Sequence, residues 1–268
     1  MSRFAVGGAT LAFDDVSPGG ATPVVLIHGH PFNRTLWAPQ TDALVAAGYR
    51  VITPDLRGYG DSTVTPGEVL LSRFADDLAA LLAHLGVGSA VVGGVSMGGQ
   101  VAMEFHRRHR HRIRALVLSD TSAEAETDEG KRFRNNLADR LLTEGMDGYA
   151  NEVIDKMLAA YNVSALPEVA EHVLGMMRAT DPWGAAAALR GRAQRPHYGE
   201  TLGTVAVPTL VVVGADDVYT PVAEAKAIGD LVPDAAVSVI DHAGHLPNAE
   251  QPERFNTVLL EFLHARLG

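Results

Sequence analysis

Between residues 23 and 119 short apolar runs alternate with helical stretches, and this alternation restricts the fold more than any other feature. Pro23–His28, Arg50–Thr53, Ala90–Val95 and Ala115–Ser119 are rich in Val, Ile and Leu and lack the polar alternation of a half-exposed strand. Such runs suit strands covered on both faces. The spacing predicts helices over 37–47, 72–85 and 97–109. In the second of these, Phe74, Leu78, Leu81, Leu82 and Leu85 fall on one face, as a helix needs to cover a sheet. Strand, helix, strand in this order gives a mostly parallel sheet with helices on both faces, an α/β fold class. Residues 3–14 read as a hairpin turning at Gly7 and Gly8.

The alternation stops after the sixth strand. Residues 121–200 contain helical stretches at 131–145, 148–160, 167–179 and 183–193 and no convincing strand. Strand and helix then resume with 207–213, 222–231, 236–240 and 251–265. This divides the chain into a core of residues 1–120 and 201–268 and an inserted helical cap at 121–200. A cap there stands above the carboxyl ends of the strands, where open parallel sheets bind ligands.

Gly94-Val95-Ser96-Met97-Gly98 lies where a strand ends and a helix begins. A serine there must turn sharply, and only small residues fit two positions to either side. The pattern alone arises by chance in on the order of one chain in ten of this size, so its strand–turn–helix setting carries the weight. A serine nucleophile needs a base, and the base needs a carboxylate to fix its tautomer. Gly214-Ala215-Asp216-Asp217 follows the next-to-last strand and Asp241-His242-Ala243-Gly244-His245 follows the last. Asp217 is assigned to the carboxylate, with Asp216 as the alternative. His245 is assigned to the base, with His242 as a structural residue. An oxyanion also needs backbone N–H donors. Met97, at the helix start, is one; His30 is the other, with Phe32 as second choice, in the loop His28-Gly29-His30-Pro31-Phe32. The His30 side chain lines the pocket in this reading, and a part in proton transfer is left open. Phe32, Met146, Trp183 and Tyr219 are the candidate substrate-binding residues, with Met176 and Met177 beside them in the cap.

Taken together, H-G-x-P at 28–31, D-L-R-G-Y-G-D-S at 55–62, G-V-S-M-G-G at 94–99 and D-H-A-G-H at 241–245 resemble the signature of the α/β-hydrolase superfamily, in order and over nearly the whole chain. Asp181-Pro182-Trp183-Gly184-Ala185 through Leu189-Arg190, then V-P-T-L-V-V-V-G-A-D-D and H-L-P-N-A-E-Q-P, are similar to the serine branch of 3-oxoadipate enol-lactonases and related carboxylesterases. The front loop departs from the Asn-Ser-Leu-Gly type of those lactonases and is more like that of general esterases. The resemblance implies the α/β-hydrolase fold and cleavage of a carboxylic ester or lactone of a small, partly hydrophobic molecule through an acyl-enzyme. It leaves room for a cofactor-free haloperoxidase or perhydrolase, a C–C bond hydrolase, or a small-ligand receptor that keeps the triad. Relatives that cleave halides or epoxides use aspartate where Ser96 stands.

A formal charge of −10 argues against nucleic acid or an anionic membrane as partner. The basic run Phe105–Arg112 is read as the exposed end of the helix behind Ser96, where cations complement the dipole. With no cysteine, disulfides and thiolate zinc sites are excluded. The pairs His28/His30 and His109/His111 lack the sequence neighbours that would complete a zinc site, and no phosphate-binding glycine loop is present. No cofactor is implied. No apolar run is long enough to span a membrane, and the N-terminus lacks a signal-peptide core, so a cytoplasmic protein is expected. A homo-oligomer is left open by a single chain.

Overall fold

The structure, a computed structural model, describes residues 1–267. Its eight strands are β1 (Ser2–Val6), β2 (Ala9–Val16), β3 (Pro23–Ile27), β4 (Arg50–Pro54), β5 (Ala90–Val95), β6 (Ile113–Ser119), β7 (Thr209–Gly214) and β8 (Ala235–Ile240). They form one sheet in the order β1-β2-β4-β3-β5-β6-β7-β8. From β4 to β8 all neighbours are parallel, and β2 alone runs antiparallel to both its neighbours. Gly7 and Gly8 turn the first hairpin with φ of 50° and 78°, the left-handed pair that a two-residue turn of matching twist requires. The central strands are apolar throughout because both faces are covered. Val25 and Ile27, Leu116 and Leu118, and Val211 and Val213 join one buried cluster; Val24 and Leu26, Ala115 and Val117, and Leu210 and Val212 join the other.

The helices of the first half are α1 (Ala38–Ala46), α2 (Leu71–His84) and α3 (Met97–His109). Between β6 and β7 come α4 (Asp128–Glu144), α5 (Asp147–Met157), α6 (Asn162–Ala165), α7 (Pro167–Ala179), α8 (Pro182–Ala193) and α9 (Gly199–Gly203), and no strand among the described residues. The chain closes with α10 (Val222–Leu231), α11 (Pro247–Glu250) and α12 (Pro252–Leu267). Phe74, Leu78 and Leu82 of α2 lie with Val101 and Phe105 of α3 on one side of the sheet. Leu44 of α1 and Phe255, Leu259 and Leu263 of α12 lie on the other.

Helix α8 is seated differently from α4 to α7. Asp181 caps it by accepting from the Trp183 N–H at 2.8 Å, and Pro182 opens it, so the Asp-Pro-Trp run is a helix start. Gly184 and Gly191, seven residues apart, share a face. A Cβ on Gly184 would fall 1.9 Å from the Gly58 carbonyl oxygen, and one on Gly191 1.8 Å from that of Val69. The backbone of α8 therefore rests directly on the loop between β4 and α2. Its other side packs on α4, where Met146, Leu137, Leu141, Ala185, Ala186 and Leu189 form a small core.

Candidate functional site

Five strand ends contribute to one place. His30 follows β3, Ser96 follows β5, Asp120 follows β6, Asp217 follows β7 and His245 follows β8. Four of these, Asp217 excepted, line a cavity of about 620 Å³ between the strand ends and the inserted helices. Ser96 is held at φ 55° and ψ −118°, a region that L residues seldom occupy and that marks a strained functional turn. Its surroundings explain the flanking glycines: a Cβ on Gly94 would fall 2.3 Å from Gly98, and one on Gly98 2.1 Å from the Ile27 carbonyl oxygen. The Ser119 carbonyl accepts from the Ser96 N–H at 2.9 Å, and Thr121 Oγ1 donates to the Ser96 carbonyl at 2.8 Å, fixing the turn from both sides.

Asp217 reaches His245, with Oδ2 2.8 Å from Nδ1. The same carboxylate accepts from the Tyr219 and Thr220 N–H groups at 2.8 and 3.1 Å and from Thr220 Oγ1 at 2.5 Å. Burial works against its charge, but His245 and Thr220 outweigh it and hold the carboxyl below the ordinary Asp range. An ionised Asp217 puts the His245 proton on Nδ1 and leaves Nε2 as the basic nitrogen. Tyr219 packs edge-on against the His245 ring with centroids 5.2 Å apart and also lines the cavity. No hydrogen bond joins Ser96 Oγ to His245 in this structure; such contacts are often long until substrate arrives. Asp216 instead lies exposed, accepting from Tyr161 O–H at 2.6 Å. His242 is exposed with φ 61°, and its carbonyl accepts from Asn162 and Gln251.

The loop after β3 approaches Ser96 closely: a Cβ on Gly29 would lie 3.1 Å from Ser96 Cβ. Among the described residues no protein group accepts from the N–H of His30 or of Met97, so both remain free to donate. The Phe32 N–H donates to the Gly29 carbonyl at 3.1 Å, which removes it as an oxyanion donor. His28 braces this loop. The Leu56 N–H donates to its Nε2 at 3.0 Å, so its proton must sit on Nδ1, which donates to the Gly29 carbonyl at 2.8 Å. The 55–62 motif supports the loop from behind. Asp55 accepts from the backbone N–H groups of Arg34 and Asp61, and Arg57 makes a two-pronged buried pair with Asp77 at 2.7 and 2.8 Å. His30 places Nδ1 2.7 Å from Tyr59 Oη, while its buried Nε2 has no partner. Burial first, and the charges of Arg192 and Arg134 next, push the His30 ring well below the usual histidine range, so it is neutral.

Three expected substrate contacts are corrected. Phe32 does not line the cavity; it is sealed in the core with Val24, Leu36 and Trp37, because the Gly29–Phe32 turn sends the chain back toward the sheet. Met146 belongs to the small core between α4 and α8. Trp183 is 54% exposed, since the inward face of α8 is the one that carries Gly184 and Gly191. Met176 and Met177 pack with Val153 and Val173 in the core and do not line the cavity either. The basic run is largely paired: Arg107 with Glu104, and Arg108 and His109 with Asp76. His109 thus has the acidic neighbour that its sequence surroundings lack.

The lining holds residues that the sequence did not single out: Gln100, Asp120, Phe133, Tyr149, Met157 and the cations Arg134, Arg192 and Arg195. Asp120 is buried, accepts from Gly214 N–H at 2.8 Å and Ser119 Oγ at 2.5 Å, and lies in one cluster with Asp217 and His245. Burial, and then the charge of Asp217, raise its carboxyl well above the usual range. A raised folded value means that its contribution to stability is complete below the ordinary Asp pKa and is lost as pH rises through the folded one. Asn in its place has no such loss. From pH 5 to 8 the stability difference between Asp120→Asn and the parent should move toward the variant, by at most about 1.4 kcal/mol per pH unit. Urea unfolding at several pH values measures it, and a pH-independent difference would refute it.

A family description of the alpha/beta hydrolase fold matches residues 22–252. The chain superposes on a malate-bound thermophilic esterase from Thermogutta terrifontis with a TM-score of 0.96, at 40% identity and with both chains fully covered. It is 27% identical over 262 residues to 3-oxoadipate enol-lactonase 1 of Acinetobacter baylyi, spanning 96% of this chain and 94% of that protein. It is 30% identical over 274 residues to a non-heme chloroperoxidase of Kitasatospora aureofaciens, spanning 92% and 94%. No helix among the described residues is long and apolar enough to cross a membrane. The sheet order, the strained turn at Ser96 and these matches agree, and the chain belongs to the alpha/beta hydrolase family.

Proposed function

We propose that the chain is a serine hydrolase that cleaves a carboxylic ester or lactone through an acyl-enzyme. The observation that carries this reading is a strained Ser96 sharing one cavity with a His245 whose Nδ1 is held by Asp217. His245 Nε2 takes the Ser96 proton as Oγ bonds to the substrate carbonyl carbon. The N–H groups of His30 and Met97 receive the oxyanion. His245 then returns the proton to the departing alkoxide, and the acyl group stays on Oγ. Water, deprotonated by the same nitrogen, releases the acid and restores the serine. The esterase and enol-lactonase relatives support the bond type.

The test is a panel of short and long p-nitrophenyl esters beside small lactones, followed by mass spectrometry of the protein after a fluorophosphonate. Turnover of at least one class is expected, with one phosphonyl adduct on Ser96 that blocks it. Turnover with the adduct elsewhere would refute the assignment. The chloroperoxidase relative favours a second use of the same acyl-enzyme. Hydrogen peroxide in place of water would release a peracid, which oxidises bromide. Dye bromination that requires both acetate and peroxide would mark that activity.

A further inference from the structure

One buried cation in the cavity wall has no counterpart. Arg140 pairs with Glu152 at 2.8 Å, and Arg134 and Arg195 share the single carboxylate of Glu126. Arg192 is 9% exposed and pairs with no acid. Its one side-chain hydrogen bond runs from Nε to Gln100 Oε1 at 3.2 Å, and among the described residues neither Nη nitrogen donates to a protein acceptor. A guanidinium keeps its proton in a protein, and an enclosed charge without a partner is costly. Burial, with Arg134 and Arg195 adding like charge, acts against Arg192. Three guanidiniums facing one carboxylate leave this part of the wall cationic.

The placement of that charge is fixed. Gly191 seats α8 on Val69 immediately before Arg192, and the buried Gln100 braces the guanidinium. Gln100 stands on the first turn of α3, where its N–H donates to the Ser96 carbonyl at 3.2 Å, and both residues line the cavity. His30, whose buried Nε2 has no partner, lines the same cavity. A planar fork with two free Nη groups matches the two oxygens of a carboxylate.

We propose that Arg192 anchors a carboxylate of the substrate, so that the ester or lactone opened at Ser96 carries a free acid group a few bonds from its acyl carbon. This rests on the hydrolase reading of the same site. The first measurement compares kcat/KM for the p-nitrophenyl half-ester of glutaric acid with that for p-nitrophenyl valerate, which ends in a methyl group instead. The parent is expected to favour the half-ester at least tenfold. In Arg192→Gln the ratio of the two falls about 100-fold, and Arg192→Lys restores part of it. An equal loss on both esters, or no preference in the parent, overturns the anchor. The second measurement needs no turnover. Glutarate should raise the melting temperature of the parent and glutaramide should not, with the shift abolished in Arg192→Gln. Equal shifts from the two compounds overturn the proposal. So does stabilisation by inorganic phosphate but not by glutarate. If no ester is hydrolysed, the hydrolase reading fails alone, and the glutarate shift still decides the anion site.

Discussion

Ser96→Ala is expected to lower kcat for a p-nitrophenyl ester by on the order of 10⁴–10⁶-fold while leaving substrate affinity little changed. The size follows from the division of labour in the site. In the proposed mechanism no acyl-enzyme forms without Oγ, whereas the His30 and Met97 N–H groups and the cavity would still bind and polarise the carbonyl. Alanine tolerates the φ of 55° no worse than serine does, because both carry a single Cβ, so the fold should survive. His245→Ala should cost a similar factor, and the double variant no more than either alone, since the two residues act as a unit. Single-turnover measurements at saturating ester check this. A double variant whose loss approaches the product of the two single losses would mean that the serine and histidine act separately.

Asp217→Asn should lower kcat about 10³–10⁴-fold, and the hydrogen bonds give the reason. Oδ1 of Asp217 accepts from two backbone N–H groups at Tyr219 and Thr220. An asparagine must keep its carbonyl oxygen there, which turns its NH₂ toward His245 Nδ1 and Thr220 Oγ1. The imidazole then has to accept at Nδ1, its proton moves to Nε2, and the nitrogen facing Ser96 can no longer act as base. Asp216→Asn removes only an exposed charge, since its amide oxygen can still accept from Tyr161 O–H, and should change kcat by less than about threefold. Steady-state kinetics of the two variants side by side separate the adjacent aspartates. A large loss in Asp216→Asn would reverse the assignment.

The sheet and the Ser96–His245–Asp217 set were legible in the sequence because local rules govern them. Strands covered on both faces must be apolar throughout, as Val24–Ile27 and Val211–Val213 are. A turn as tight as that at Ser96 demands glycine at 94 and 98. The loops after β7 and β8 end on the same rim because parallel strands all finish there. The cavity wall was less legible. Apolar character says that Phe32, Met146 and Met176 avoid water, but not whether they face a cavity or a core. Arg190 and Arg192 sit two residues apart on α8. The first is partly exposed and pairs with Asp139, and the second is enclosed. Only the direction in which α8 lies on the core distinguishes them. Part of the signal was present in Gly184 and Gly191, whose shared face marks the side of α8 that must touch another backbone. Arg190 and Arg192 both adjoin Gly191, so the glycines mark the contacting face without telling which arginine turns toward the cavity.

That seating of α8 constrains how such a chain can diverge. Residues 184 and 191 belong by connection to the insertion, yet each is tied to a carbonyl oxygen in the loop between β4 and α2, at Gly58 and Val69. A side chain gained at either position has to be matched by a displacement in a segment far away along the chain, so the two stretches must vary together. Helices α4 to α7 carry no comparable bond to that loop. Side chains on those helices can change the mouth of the cavity without disturbing that loop, whereas any shift of α8 moves the strut bearing Arg192 relative to the sheet.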